Sequence, residues 1–385
     1  LSLHDALPIY LPLYRGVEAH LSVTIYLDYQ ATTPVAPEVR AAMRPWMEEK
    51  FANPHSSHKL GREAAAAVEL ARDAVAALLP KDGRVYFTSG ATEAINWAMR
   101  GVCRDAIVLP ETEHAAVRDT ALWLAQSGRS VTISPVADDG LIDSRLAIRA
   151  GTGLAAVMLV NNEIGVIQPV QAIANAAHKV GALFLCDAVQ GFGRMTIPDG
   201  PDLVAVSAHK IHGPKGIGAL WVRDGIELEP FLHGGGQEGG LRSGTLSPAL
   251  CAGFGVAARV AEQRQEVDAA HVATLWDLAM DMLPDGWIVN GSTSARYKGN
   301  LNMRRDGLDA ARLISEVRDV AFSAGSACAS GSGRPSHVLR AIGLDDSQAR
   351  SSIRLGFGRY TTRAEFREAL RLIFAAADSQ RALAA

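Results

Sequence analysis

Leu203-Val204-Ala205-Val206-Ser207-Ala208-His209-Lys210-Ile211-His212-Gly213-Pro214-Lys215-Gly216 runs from four consecutive apolar residues into a polar turn rich in glycine. A short apolar run without polar alternation is the pattern of a strand covered on both faces, as in a parallel sheet with helices above and below. At its end stands Lys210, flanked by Ser207, His209 and His212. A lysine taken alone is ordinarily a solvated loop residue. Among groups that lower its pKa and fix its direction, the amine becomes a nucleophile suited to a Schiff base.

Outward from this segment the same alternation repeats. Strands are predicted at Arg84 to Thr88, Ala106 to Leu109, Val131 to Val136, Leu154 to Val160, Ala182 to Cys186, Leu203 to Val206 and Ile217 to Val222. Helical stretches lie between them, such as Val117 to Gln126 and Pro169 to Val180, and Val68, Ala71, Val75 and Leu78 mark one helix face before Pro80. Strand and helix in turn imply an α/β domain built on a mostly parallel sheet flanked by helices. After about Val267 helices predominate, which sets the expected boundary of a smaller domain, and Ile25 to Tyr29 is a strand that either part could hold.

Composition narrows the classes. A chain of 385 residues exceeds what one core usually supports, so a large and a small domain are expected. With 38 basic and 41 acidic residues and no dense basic block, neither nucleic acid nor an anionic membrane is the expected partner. No apolar run is long enough to span a bilayer. The four cysteines, Cys103, Cys186, Cys251 and Cys328, are scattered and form no CxxC pair, which suits a reducing cytoplasm better than disulfides or a metal site. Residues 1–24 lack the layout of a secretory signal and read as a disordered or non-native leader.

The polar residues fall where an open α/β sheet binds its ligand, beyond the carboxyl ends of the strands. Asn161-Asn162-Glu163 follows one strand, Asp187 ends the next, and Ser207 to Lys210 closes a third. Thr88-Ser89-Gly90-Ala91-Thr92-Glu93 lies between a strand and a helix, where unpaired N–H groups and the positive helix end attract phosphate. His114, in Glu111-Thr112-Glu113-His114, offers a flat ring and a proton relay. Gly234-Gly235-Gly236 and Gly239-Gly240 permit close backbone approach ahead of Arg242-Ser243-Gly244-Thr245.

Together with Tyr26-Leu27-Asp28-Tyr29-Gln30-Ala31-Thr32-Thr33-Pro34, these motifs resemble those of cysteine desulfurases of the NifS/IscS type, in the class V aminotransferase group of pyridoxal phosphate enzymes. The resemblance extends from about Ile25 to Arg363 and implies a fold type I architecture. It has a mostly parallel seven-stranded sheet in a large domain of 32–266, and an α+β small domain of 25–31 and 267–385. It implies that Lys210 holds pyridoxal 5'-phosphate through its amine, with Asp187 at the pyridine nitrogen, Gln190 at the ring oxygen and His114 stacked on the ring. Ala91, Thr92, Ser207 and His209 would bind the phosphate end, and Thr245 would reach it from the second subunit of a homodimer. Asn162, beside the cofactor, and Arg354 would hold the substrate carboxylate, for which a guanidinium fork is well matched. No metal is implied. The chain departs from the pattern at Gly239, where arginine or lysine is usual, and at Gly191, where serine or alanine is common.

Cys328 lies in Ser323-Ala324-Gly325-Ser326-Ala327-Cys328-Ala329-Ser330-Gly331-Ser332-Gly333, a setting with little apolar bulk. The resemblance makes it the acceptor of sulfur from L-cysteine, leaving alanine and passing the persulfide to an acceptor or iron-sulfur scaffold protein. The other readings are a selenocysteine lyase or related class V enzyme, and a weakly catalytic scaffold in a sulfur-transfer complex. Dependence on Cys328 separates the first from the desulfurase. Retention of Lys210, Asp187, His114, Arg354 and Cys328 argues against the scaffold.

Overall fold

A computed structural model describes residues 24–142, 148–325 and 335–384. The chain enters through β1 (Ile25–Tyr26), α1 (Pro37–Glu48) and α2 (Lys59–Ala76). The large unit continues with β2 (Gly83–Thr88), α3 (Ala91–Gly101), β3 (Ala106–Pro110), α4 (Ala115–Gln126), β4 (Ser130–Ser134), β5 (Leu154–Met158), α5 (Val170–Lys179), β6 (Leu183–Asp187), β7 (Leu203–Ser207) and β8 (Gly218–Arg223). Helix α6 (Pro248–Met282) leads on to β9 (Ile288–Val289), β10 (Asn300–Arg304), α7 (Ala310–Glu316), β11 (Val320–Ala321) and β12 (Ser323–Ala324). The chain closes with α8 (His337–Ala341), α9 (Asp346–Arg350), β13 (Ser352–Gly356) and α10 (Arg363–Ala384).

Among the described residues the central sheet has seven strands in the order β2-β8-β7-β6-β5-β3-β4. All neighbours are parallel except β8, which runs antiparallel to both β2 and β7. Each of the seven predicted runs becomes one of these strands. Burial shows why the runs are continuous rather than alternating. Along β7, Leu203 and Ala205 join one core with α3 and α4, whereas Val204 and Val206 join another with α1, α2, α5 and α6. A strand that faces two cores has no side to leave polar. Helix α2 ends at Ala76, so Leu78 lies beyond its last turn rather than on its face.

Helix α6 runs unbroken through the expected boundary near Val267. Its first half packs Cys251, Phe254, Ala258 and Ala261 into the large core, and its second half packs Val272, Leu275 and Ala279 into a separate core with Leu301, Ile353, Leu355 and Phe366. One helix serves both cores, so no break in its apolar pattern marks the change. Strand β1 pairs with β11, and Leu27 lies in the second core. Among the described residues no helix is long and apolar enough to cross a membrane, and no cluster of His, Cys, Asp or Glu could hold a metal.

Candidate active site

The turn after β7 is stapled by the early motif. Thr33 donates to the His209 carbonyl through both N–H and Oγ1, at 3.0 and 2.9 Å, and its hydroxyl accepts from the His212 N–H at 2.8 Å. The His212 ring meets the Pro34 carbonyl at 2.9 Å, and Ala36 N–H donates to the His212 carbonyl at 3.0 Å. These bonds hold His212 at φ 67, a left-handed conformation that a side chain other than glycine seldom adopts. The staple directs Lys210 back toward the same segment, where its amine donates to the carbonyls of Gln30 and Ala31 at 2.5 and 2.7 Å.

Lys210 borders a cavity of about 580 Å³ at the carboxyl ends of the strands. Ala91, Thr92, His114, Asn162, Asp187, Gln190, Ser207, His209, Lys210 and Arg354 all line it. Thr245 is exposed and does not line it, and Cys328 lies outside the described residues. Sequence reasoning assigned no role to Lys215 or Gln30, which also line the cavity, as do Ser89 and Gly90 of the phosphate-attracting turn. Lys215 was detectable from its place in the Gly213-Pro214-Lys215-Gly216 turn, which returns the chain to β8.

At one end of the cavity lies the N-terminus of α3. Gly90 precedes it in extended backbone, and a Cβ there would project into open space rather than against protein. Glu93 caps the turn by accepting from the Ser89 N–H at 2.8 Å and pairs with Arg242 at 2.7 Å, tying the glycine-rich 234–245 segment to this helix. Burial raises the Glu93 carboxyl, but Arg242 and Ser89 outweigh it and leave its pKa lowered. Nearby, burial and the adjacent Lys210 and Lys215 push His209 down to about 4, so it stands neutral as a hydrogen-bonding ring. Gly218 supports the same loop from β8, because a Cβ there would come within 2.8 Å of the Gly90 backbone and 2.6 Å of the Val206 carbonyl. Gly218→Ala is expected to displace the loop, costing about 1–3 kcal/mol of stability and roughly tenfold in phosphate-ligand affinity. Thermal unfolding and a pyridoxal phosphate titration check it.

Asp187 ends β6, buried, with Oδ1 accepting from the Val189 N–H at 3.0 Å. Burial raises its pKa, and nearby His114 and Lys210 offset part of that rise. Beside it Glu113 is wholly buried, with Oε1 accepting from the Met158 N–H at 2.7 Å and Oε2 lacking a partner among the described residues. Burial chiefly, with Asp187 adding, holds Glu113 well above the usual carboxylate range. His114 caps α4, its Nδ1 accepting from the Ala116 N–H at 3.0 Å. Gln190 donates to the Gln30 carbonyl at 2.9 Å and accepts from Arg194 at 2.7 Å.

The opposite end of the cavity is built from the small unit. Arg354 projects from β13 with 1% of its side chain exposed and pairs with Asp28 at 2.7 Å. Its Nη1 donates to the Asn162 carbonyl at 3.1 Å, while Nε has no partner among the described residues. The tandem asparagines divide the work. Asn161 turns inward, accepting from the N–H groups of Glu163 and Ile164 and donating to the Thr112 carbonyl, so Asn162 is the one at the cavity. Gly191 is explained by Leu159, whose Cδ2 lies 2.5 Å from where a Cβ would stand, and Gly239 by its φ of 68.

These donors fit pyridoxal phosphate. A buried carboxylate of raised pKa suits a cationic ring nitrogen, and a helix N-terminus with a bare glycine suits a phosphate. An amine in reach suits an aldehyde.

Comparison with known proteins agrees. The aminotransferase class-V family matches residues 25–368. A protein named cysteine desulfurase IscS from Rickettsia rickettsii (strain Iowa) is 43% identical over 383 aligned positions, which cover 94% of this chain and 93% of that protein. The protein of the same name from Rickettsia bellii (strain OSU 85-389) is 44% identical, covering 92% and 91%. Among solved structures, a NifS-like protein superposes with a TM-score of 0.84 at 31% identity, covering 91% of this chain and 98% of that one. A structure described as SspA in complex with cysteine gives 0.79 at 34%, covering 88% and 100%. The chain belongs to the aminotransferase class-V family, among its cysteine desulfurases.

Proposed function

We infer that this chain is a cysteine desulfurase that binds pyridoxal 5'-phosphate and converts L-cysteine to L-alanine with transfer of the sulfur to Cys328. The observation that carries this reading is the convergence of Lys210, Asp187, the α3 N-terminus and Arg354 on one cavity. Each group supplies what one part of the cofactor or substrate needs. When bound, the cofactor supplies an electron sink for the Cα of the amino acid.

The residues around it have separate tasks. Lys210 anchors the aldehyde and, once released, takes the Cα proton at Nζ. Asp187 would keep the ring nitrogen protonated. Gln190 has a second amide N–H that would serve the ring oxygen, and His114 would stack on the ring. Ala91 and Thr92 at the helix N-terminus, with Ser207, His209 and Lys215, hold the phosphate. Thr245, exposed in the single chain, reaches this end from a second copy in a homodimer. Arg354 and Asn162 hold the substrate carboxylate. We place the division between the two domains at 266/267, inside α6, and the enzyme in the cytoplasm. The acceptor of the persulfide is a second protein, such as an iron-sulfur scaffold.

Sulfur transfer needs a reactive thiolate. Cys186 is fully buried and its thiol is pushed well above the usual range, and burial pushes Cys251 up to about 12, so neither is suited to the task. Cys103 is exposed but does not line the cavity, and the family motif indicates Cys328 as the nucleophile. The test is alanine and sulfide production from L-cysteine with a thiol reductant. Equal amounts of both are expected from the parent and background levels of both from Cys328→Ser. Undiminished sulfide from the variant would reassign the chain to lyase chemistry without a persulfide.

A further inference from the structure

Glu163 belongs to the Asn161-Asn162-Glu163 turn but does not line the cavity, and the residue is 3% exposed. Its Oε2 accepts a hydrogen bond from the Ser336 hydroxyl, and Ser336 in turn caps α8 by accepting from the Leu339 N–H at 3.1 Å. The Glu163 carbonyl accepts from Asn302 Nδ2 at 3.0 Å, and the same amide nitrogen donates to the Gly325 carbonyl at 3.3 Å. Gly325 is held a second time, its N–H donating to the Ser352 carbonyl at 2.8 Å. Gly325 and Ser336 flank the stretch of sequence that contains Cys328. Asn162, the neighbour of Glu163, carries the carbonyl that receives Arg354.

Resting on the reading of the chain as a desulfurase, we propose that Glu163 is a positioning residue for sulfur transfer. It clasps the two flanks of the Cys328 stretch, Ser336 through its carboxylate and Gly325 by way of Asn302, from the turn that presents Asn162 to the substrate. The step it serves is balanced without any oxidant. The Cys328 thiolate forms a bond to the substrate sulfur while the substrate's C–S bond breaks, its electron pair going to the carbon fragment that leaves as alanine.

The charged and titratable groups facing Glu163 are Arg354 from β13 and His114 at the start of α4, both of which favour its ionised form. Burial outweighs them and the Ser336 bond, raising its pKa to about 7. The clasp therefore changes character in the physiological range. Above that pH the Ser336 hydroxyl donates to a full carboxylate, a stronger bond than to a neutral acid.

The experiment follows two steps in the holoenzyme by stopped flow and rapid quench. One is the cofactor absorbance change on adding L-cysteine, and the other is persulfide on Cys328, detected by alkylation and mass spectrometry. Glu163→Ala and Ser336→Ala are expected to keep the first step within about twofold and to slow the second by about tenfold or more. Glu163→Gln fills the same space, leaves His114 in place and isolates the charge. Its persulfide rate should match the parent near pH 6 and fall about fivefold behind it at pH 8. Equal slowing of both steps in Glu163→Ala, or a Gln variant that tracks the parent at every pH, would overturn the clasp. Absence of persulfide in the parent itself would instead overturn the desulfurase reading.

Discussion

Lys210→Ala is expected to abolish alanine formation from L-cysteine and to remove the absorbance of the cofactor bound through a lysine imine. Two contributions vanish together. In the proposed function the amine is both the covalent anchor and the base for the Cα proton; general base catalysis by itself is worth up to about 10⁴-fold. Turnover should therefore fall by about 10⁴-fold or more. The fold should persist, because the Gln30 carbonyl that accepts from Lys210 also accepts from Gln190 at 2.9 Å, and the Thr33 staple does not involve the lysine side chain. In the proposed function the α3 N-terminus and Asp187 also hold pyridoxal phosphate, so the variant should bind it reversibly. Dialysis should strip it, and added alkylamines should restore a fraction of the lost rate. Full activity in this variant would remove the chemical basis of the assignment.

The strands that carry this site are readable because each is short, apolar and buried twice over. β7 places Leu203 and Val204 in different cores, and no arrangement of polar residues within it would survive. The ligand residues are readable for a related reason, since a polar cluster at the end of such a strand has no packing use. What escapes is what depends on distant partners. Asp28 shows no purpose until β13 brings Arg354 to 2.7 Å, and Glu163 reads as part of a ligand motif although its carboxylate turns away to Ser336. Gly218 lies in a plain β-strand, and only the Gly90 backbone beside it explains the missing side chain. The unbroken course of α6 escapes for a comparable reason, because one helix contributes its first half to one core and its second half to another. The two-residue strands β9, β11 and β12 are too short to show any period.

Arg354→Lys is expected to leave cofactor loading intact and to lower kcat/KM for L-cysteine by roughly 10²-fold, mostly through KM. Arg354 is fixed before substrate arrives, by Asp28 on Nη2 and by the Asn162 carbonyl on Nη1. Its Nε has no partner among the described residues, and in the proposed function the remaining N–H groups of the guanidinium take the substrate carboxylate. Lysine keeps the charge but has no planar fork, so it can satisfy Asp28 or the substrate but not both with the same geometry. Loss of one charge-assisted hydrogen bond costs about 1.5–3 kcal/mol, which spans the expected factor. Lysine is preferable to alanine here, because alanine would leave Asp28 without its partner and cost about 3–5 kcal/mol of stability as well. Cysteamine, which has the amine and thiol of cysteine but no carboxylate, separates recognition from general damage. The parent should prefer L-cysteine to cysteamine strongly, and Arg354→Lys should narrow that preference by the same factor by which kcat/KM falls. If the preference stays at its parental value while activity drops, Arg354 acts by holding β13 against Asp28 rather than by reading the carboxylate.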